Sequence, residues 1–249
     1  MASDAQSNPF IRHLTSSDKS VRDQALASLR NFLGAQSHIS ELELLKLWKG
    51  LFYCLWMQDK PVNQQKLSRD LASLVSHLQT PVVLPFIRAF FLTMAREWSH
   101  IEALRLDKYL YLIRQYINAS FKFLSRQDWN KETLEQWNEI MEETPLNVSD
   151  MKIPNGLRYH VMDIWVDELE KVDGKRWEEN PGSQTLETLM KPIDVMLKEG
   201  KLKVLREAAR ECLDDENLRR WRGLVDESMS DEKEAEDDSE QEWGGFGDD

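Results

Sequence analysis

The sequence predicts an all-α fold, either a HEAT- or armadillo-like α-solenoid or an irregular stacked bundle of about ten helices. Three observations predict it. Apolar residues recur at three- and four-residue spacing in one segment after another, as helices with one buried face require. No segment alternates with period two for long enough to form a strand. The segments are parted by single Pro or Gly residues or by short polar runs, so successive helices must pack back on one another. Strict sequence repeats are absent, and the solenoid and the irregular bundle both stay open.

In chain order, residues 1–8 are small and polar and are expected to form a flexible lead-in. Pro9–Leu14 can form a short helix, and Ser16, Ser17 and Asp18 supply a turn and capping groups for the next. Val21, Ala25, Leu29, Phe32 and Leu33 then make a buried stripe. Ser40 caps residues 44–61, the segment that the other helices should surround. Its Leu44, Leu47, Trp48, Leu51, Phe52 and Leu55 share one face, and Tyr53, Cys54, Trp56 and Met57 carry the apolar character round the helix. A helix apolar on nearly all sides is buried between neighbours. Lys46, Lys49 and Gly50 make it too interrupted to span a bilayer. Trp48, Phe52 and Trp56 are therefore expected in the core, and so is Trp98 further along.

Pro61 opens the following helix, where its missing N–H costs little, and Leu67, Leu71, Leu74, Val75 and Leu78 form the buried face. After Thr80 and Pro81, a face of Phe86, Ile87, Phe90, Phe91, Met94 and Trp98 begins. The next helix is expected to bury Leu106, Tyr109, Leu110, Ile113, Ile117, Phe121 and Leu124. Its other side would expose Lys108, Tyr111, Arg114, Gln115, Asn118 and Lys122. Later helical patterns run over residues 132–142, 157–171, 185–198, 203–213 and 218–225, with Pro192 kinking its helix or marking its start. The expected organisation is one helical domain over residues 9–225, followed by an acidic, disordered tail over 226–249.

Three blocks of sequence carry a resemblance. LWKGLFYCLWMQDKP, with PFIRHLTSSDKSVRDQALASLRNFL before it and FFLTMAREWSHIEALRLDKYLYLIRQ after it, resembles the ribosomal RNA-processing protein 1 family in content and order. These are eukaryotic nucleolar proteins of large-subunit assembly. The resemblance implies a noncatalytic helical scaffold on the large (60S) subunit precursor, needed for processing of precursor ribosomal RNA. Its implied partners are that RNA and other pre-60S assembly factors, and its implied location is the nucleus and nucleolus. From the periodicity alone, a general HEAT-like adaptor stays open, as does an RNA-processing enzyme.

Charge and motif content narrow the chemistry. The net charge of −12 is concentrated in residues 226–249, which hold twelve acids and Lys233; the rest of the chain has 32 acids against 31 bases. A nearly neutral body is no general nucleic-acid binder, so any RNA contact must come from a local patch. Cys54 and Cys212 sit in apolar helical patterns and read as core residues of a reducing compartment. The five histidines never pair at helical spacing, and no HExxH, CxxC, phosphate loop, GxSxG or dinucleotide fingerprint occurs. Neither a catalytic residue, a metal site, a cofactor, a small-molecule substrate nor a membrane span is expected. The absence of a secretory segment points to a soluble intracellular protein. Arg219, Arg220 and Arg222 make too short a basic run to serve as an import signal.

The most basic stretch is residues 88–126. Arg88, Arg96, Arg105, Lys108, Arg114, Lys122 and Arg126 stand there against Glu97, Glu102 and Asp107. With Tyr111 available to stack, these residues form a candidate ridge for RNA or for an acidic partner; an ordinary solvated face is the competing reading. Among the other tryptophans, one or two of Trp129, Trp137, Trp165, Trp177 and Trp221 are expected as exposed partner anchors. Trp243 and Phe246, flanking a glycine pair in the acidic tail, are a second candidate anchor.

Overall fold

Helices begin where the sequence supplies caps. Asp18 accepts from the amide of Ser20, Ser40 and Glu43 close a reciprocal capping box, and Asn130, Ser183 and Asp215 each accept from the first turn that follows. The computed structural model describes residues 9–14, 16 and 18–224, and every regular element among them is helical. They are α1 (Pro9–Leu14), α2 (Lys19–Gly34), α3 (Glu41–Trp56), α4 (Pro61–Ser73), α5 (Thr80–Glu97) and α6 (Leu106–Arg126). After these come α7 (Lys131–Glu143), α8 (Asn155–Glu179), α9 (Gln184–Glu199), α10 (Lys203–Leu213) and α11 (Glu216–Trp221). The expectations placed on residues 1–8 and on the acidic tail, including Trp243 and Phe246, lie outside the described residues.

From α3 onward the helices stack in two rows. Helices α3, α5, α7 and α9 pack in sequence along one row, and α4, α6, α8 and α10 along the other. At the ends, α1 lies on α2 and α3, α10 closes on α9, and α11 rests on α8. Each helix thus meets the next but one, which is why short connectors suffice. One contiguous apolar core runs through the stack from Leu14 to Trp221.

Helix α3 opens the first row, with Trp48 and Phe52 fully buried; Tyr53 and Met57 are exposed, so neighbours do not surround this segment on all sides as its sequence suggested. The Trp48 ring packs against Phe86, Phe90 and Tyr116, and its indole N–H donates to the Phe86 carbonyl at 3.0 Å. The hydroxyl of Tyr109 donates to the Phe52 carbonyl at 3.0 Å, and that of Tyr116 to the Leu71 carbonyl at 2.6 Å. Large aromatic bodies fill the space between rows while their polar tips find backbone acceptors. Trp56 and Trp98 are only partly buried, against the expectation that both are core. Each stands where its helix runs out of neighbours, Trp56 at the last residue of α3 and Trp98 just after α5.

The structure corrects other expectations. Trp129, Trp137, Trp165, Trp177 and Trp221 are all buried, so none is an exposed anchor. Trp137 and Trp165 pack with Phe121, and Trp129 packs edge-on against Trp177. Trp129 reaches that position because Asp128 and Trp129 adopt positive φ of 50° and 53°, turning the chain back under α8. Pro192 lies inside α9 and so does not mark its start. Helix α8 extends beyond the expected end to Glu179 across a break at Asp173. Helix α11 ends at Trp221, short of the expected 225. Ahead of α8, buried Arg158 donates to the carbonyls of Asn147, Asp150 and Ile153 and so holds the α7–α8 connector against the helix.

Candidate interaction surface

Helix α5, the turn after it and helix α6 carry the basic residues that the sequence singled out, and the structure separates them by partner. The buried stripe of α6 is broader than expected, taking in Leu112 and Tyr116. Lys108 lies four residues before Leu112, on that stripe, and is only 5% exposed. Its ammonium donates to the carbonyls of Trp56 and Gln58 at 2.8 and 2.9 Å, capping the C-terminal end of α3. Burial, with Arg105 nearby, pushes its pKa down to about 8. Lys108 is a structural cap and not part of a solvated ridge.

Four of the arginines are similarly occupied. Arg88 makes two 2.6 Å hydrogen bonds to Glu143 and a 3.0 Å ion pair with Glu41, joining α5 to α7 and α3. Those carboxylates hold its pKa above the usual arginine value. Arg96 pairs with Glu97 at 2.8 Å. Arg105 lies over the Trp56 ring, donates to the Trp56 carbonyl and pairs with Glu102 at 3.1 Å. Arg114 bridges Asp167 and the buried Glu168 on α8 at 3.2 and 3.0 Å, and Asn118 and Lys171 complete the bonding of Glu168. Arg88 and Arg114 thus join neighbouring helices through their carboxylate partners, whereas the Arg96 pair is local to α5.

Tyr111, Lys122 and Arg126 remain, and the stacking of α4 on α6 brings a fourth residue to them. Arg69 of α4 donates to the Tyr111 hydroxyl at 3.1 Å. Arg69, Lys122 and Arg126 line one groove of about 430 Å³ with Ser73, Ser76, Gln115 and Asn118, and no carboxylate belongs to its lining. None of the three cations has an ion pair among the described residues; the nearest helix neighbours, Asp70 and Asp173, are bonded to Lys66 and to Ser125 and Trp129. Three unpaired cations among neutral donors can neutralise a polyanion's phosphates. Arg69 escaped the sequence reading because it lies outside residues 88–126. Only its position off the Leu67–Leu71 stripe marks it as solvent-facing.

Among the described residues, no group of three or more His, Cys, Asp or Glu could hold a metal ion. His160 Nε2 lies 2.8 Å from the Leu110 carbonyl, and burial lowers its pKa. No described helix is long and apolar enough to cross a membrane.

The family model described as the nucleolar protein Nop52 matches residues 5–245. The chain belongs to the Nop52 family of nucleolar proteins. Similar relatives include the human ribosomal RNA processing protein 1 homolog B, 40% identical over 172 residues that cover 67% of the chain and 23% of that protein. The human homolog A is 39% identical over 181 residues, covering 69% and 39%; the Caenorhabditis elegans homolog is 29% identical over 169, covering 66% and 42%. The chain therefore spans less than half the length of these relatives. Membership in the Nop52 family places the chain in the nucleolus, the compartment expected from its sequence blocks, and the all-α stack is the fold class expected from its periodicity.

Proposed function

We propose that this chain is a noncatalytic helical scaffold in ribosomal RNA processing, acting on the large-subunit precursor, and that it meets precursor RNA in the groove between α4 and α6. The observation that carries the RNA contact is the convergence of Arg69, Lys122 and Arg126, all without carboxylate partners, on one concave lining. Half-buried Tyr111, whose hydroxyl accepts from Arg69, would supply an aromatic ring for stacking on a base. Support for the processing role comes from the relatives' names, each a ribosomal RNA processing protein 1 homolog. The scaffold reading rests on the stacked rows, which present long grooves between neighbouring helices.

Binding of a labelled large-subunit precursor transcript by the full chain tests the contact. Arg69→Glu with Lys122→Glu and Arg126→Glu leaves the core untouched, so melting should match wild type. The slope of log affinity against log salt should become shallower by about 2, the share of three phosphate contacts to single-stranded RNA. Co-sedimentation with large-subunit precursor particles should fall in parallel. Unchanged RNA affinity and unchanged sedimentation would remove the groove from the proposal. RNA cleavage by the pure chain, abolished by mutating one body carboxylate, would overturn the noncatalytic reading.

A further inference from the structure

A second groove lies on the other side of α6. It runs between α6, α8 and α10, opens to solvent and encloses about 500 Å³. The apolar part of its floor is Leu106 and Leu110 of α6, Val166 of α8 and the partly buried indole of Trp98, with Tyr159 and His160 of α8 beside them. Trp98 lies so close over Gly156 that a Cβ there would come within 3.0 Å of its ring, so the absent side chain makes room for the indole. Four carboxylates rim this floor, Asp163 and Asp167 from α8, Glu211 from α10 and Asp215 from the N-cap of α11. No Lys or Arg lines it. Asp167 is shared with Arg114, whereas Asp163 and Glu211 are exposed and have no ion pair among the described residues.

We propose that this groove docks a basic segment of a protein partner, in which an apolar side chain covers Trp98 and Leu110 while Lys or Arg on either side meets Asp163 and Glu211. Charge complementarity selects the occupant. A nucleic acid would bring phosphates against four carboxylates, and a neutral helix would leave Asp163 and Glu211 unanswered. The apolar floor adds what charge alone lacks, a reason for a folded site and not a diffuse acidic face. The inference is independent of the RNA contact between α4 and α6, since the two linings share no residue.

The test uses the full chain and a fluorescein-labelled synthetic peptide of lysine, arginine and leucine, with a twin in which serine replaces leucine. Binding is read by anisotropy near physiological salt. Asp163→Lys with Glu211→Lys should weaken binding of the leucine peptide by about tenfold or more, because two attractions become repulsions. Glu178→Lys with Glu179→Lys changes the net charge equally at exposed sites on α8 away from the groove, and should change affinity by less than about threefold. The serine twin should bind wild type as weakly as the leucine peptide binds the groove variant. Equal weakening by the two charge-reversed pairs overturns the proposal, since bulk charge would then suffice. So does equal affinity for the two peptides. A dimer in sedimentation equilibrium that the groove variant disperses would assign the groove to a second copy of the chain and would equally overturn the proposal. So would RNA binding that the groove variant alone abolishes.

Discussion

Reversing Lys108 separates a buried cap from a solvated ridge. In Lys108→Glu, a carboxylate would occupy a site that is 5% exposed and faces the carbonyls of Trp56 and Gln58 at the negative end of α3. The variant loses two hydrogen bonds from a charged donor and buries an anion beside two acceptors, at a cost of about 3–5 kcal/mol. Lys108→Met should cost less, about 1 kcal/mol, since both carbonyls keep another donor. Arg105 still reaches the Trp56 carbonyl, and Gln64 still reaches that of Gln58 at 2.8 Å. Lys122→Glu, on the exposed side of the same helix, should fall within about 0.5 kcal/mol of wild type. Urea denaturation of the full chain, followed by circular dichroism, measures all three. The pH dependence supplies an independent readout. With the folded pKa near 8 and the ordinary value at 10.5, the unfolded chain binds more protons between those limits. Stability from this group therefore rises with pH across that window, and the rise should vanish in Lys108→Met. If Lys108→Glu proves no more damaging than Lys122→Glu, the buried-cap reading is wrong.

Two further perturbations address the core. Arg158→Ala strips the donor from three connector carbonyls, those of Asn147, Asp150 and Ile153, and should cost about 3 kcal/mol in the same denaturation assay. Arg158→Lys should recover less than half of that, because one ammonium cannot reproduce the guanidinium's fork. Burial pushes both thiols, Cys54 and Cys212, up to about 12, so an aromatic disulfide reagent should modify neither in the native chain and both in urea. Fast native modification of either would show that its helix opens locally.

How much of this was legible depended on what each residue could reveal without its neighbours. The start of α3 was readable from Ser40 and Glu43, because capping is a local interaction within four residues. The buried face of α5 was readable from periodicity, and that of α6 in part: Leu106 and Leu110 are only partly buried, while Leu112 and Tyr116 join the stripe unforeseen. Lys108 was misassigned because its chemistry argues for solvent while its position, four residues before Leu112, argues for the core. The acceptors that resolve the conflict come from α3, some fifty residues earlier in the chain. The five later tryptophans were ambiguous for a related reason. Charged neighbours such as Glu178 and Arg222 flank them, and only the packing of α6, α7 and α8 shows which way the rings turn. Arg69 could not be joined to Lys122 and Arg126 without knowing that α4 lies on α6.

The two grooves explain why net charge was a poor guide to this chain. The body is balanced almost to zero, yet the groove on the α4 side of α6 holds cations, and that on its α8 side holds Asp163 and Glu211, none of them with an ion pair among the described residues. Arg114, Asp167, Glu168, Asn118 and Lys171 bond to one another between them. That network uses one cation of α6 and one rim carboxylate of α8, and so keeps each groove's charge from cancelling the other across α6. With a Debye length of about 8 Å at physiological salt, a docking segment responds to the few charges within its groove and hardly to the far end of the helix. Helices stacked in rows make such segregation simple to encode. Each groove is lined by short spans of neighbouring helices, and changing one or two exposed residues on a span sets its sign without disturbing the buried stripe. A near-neutral helical stack can therefore carry grooves of opposite sign, on surfaces that the sequence presents as one mixed run of charge.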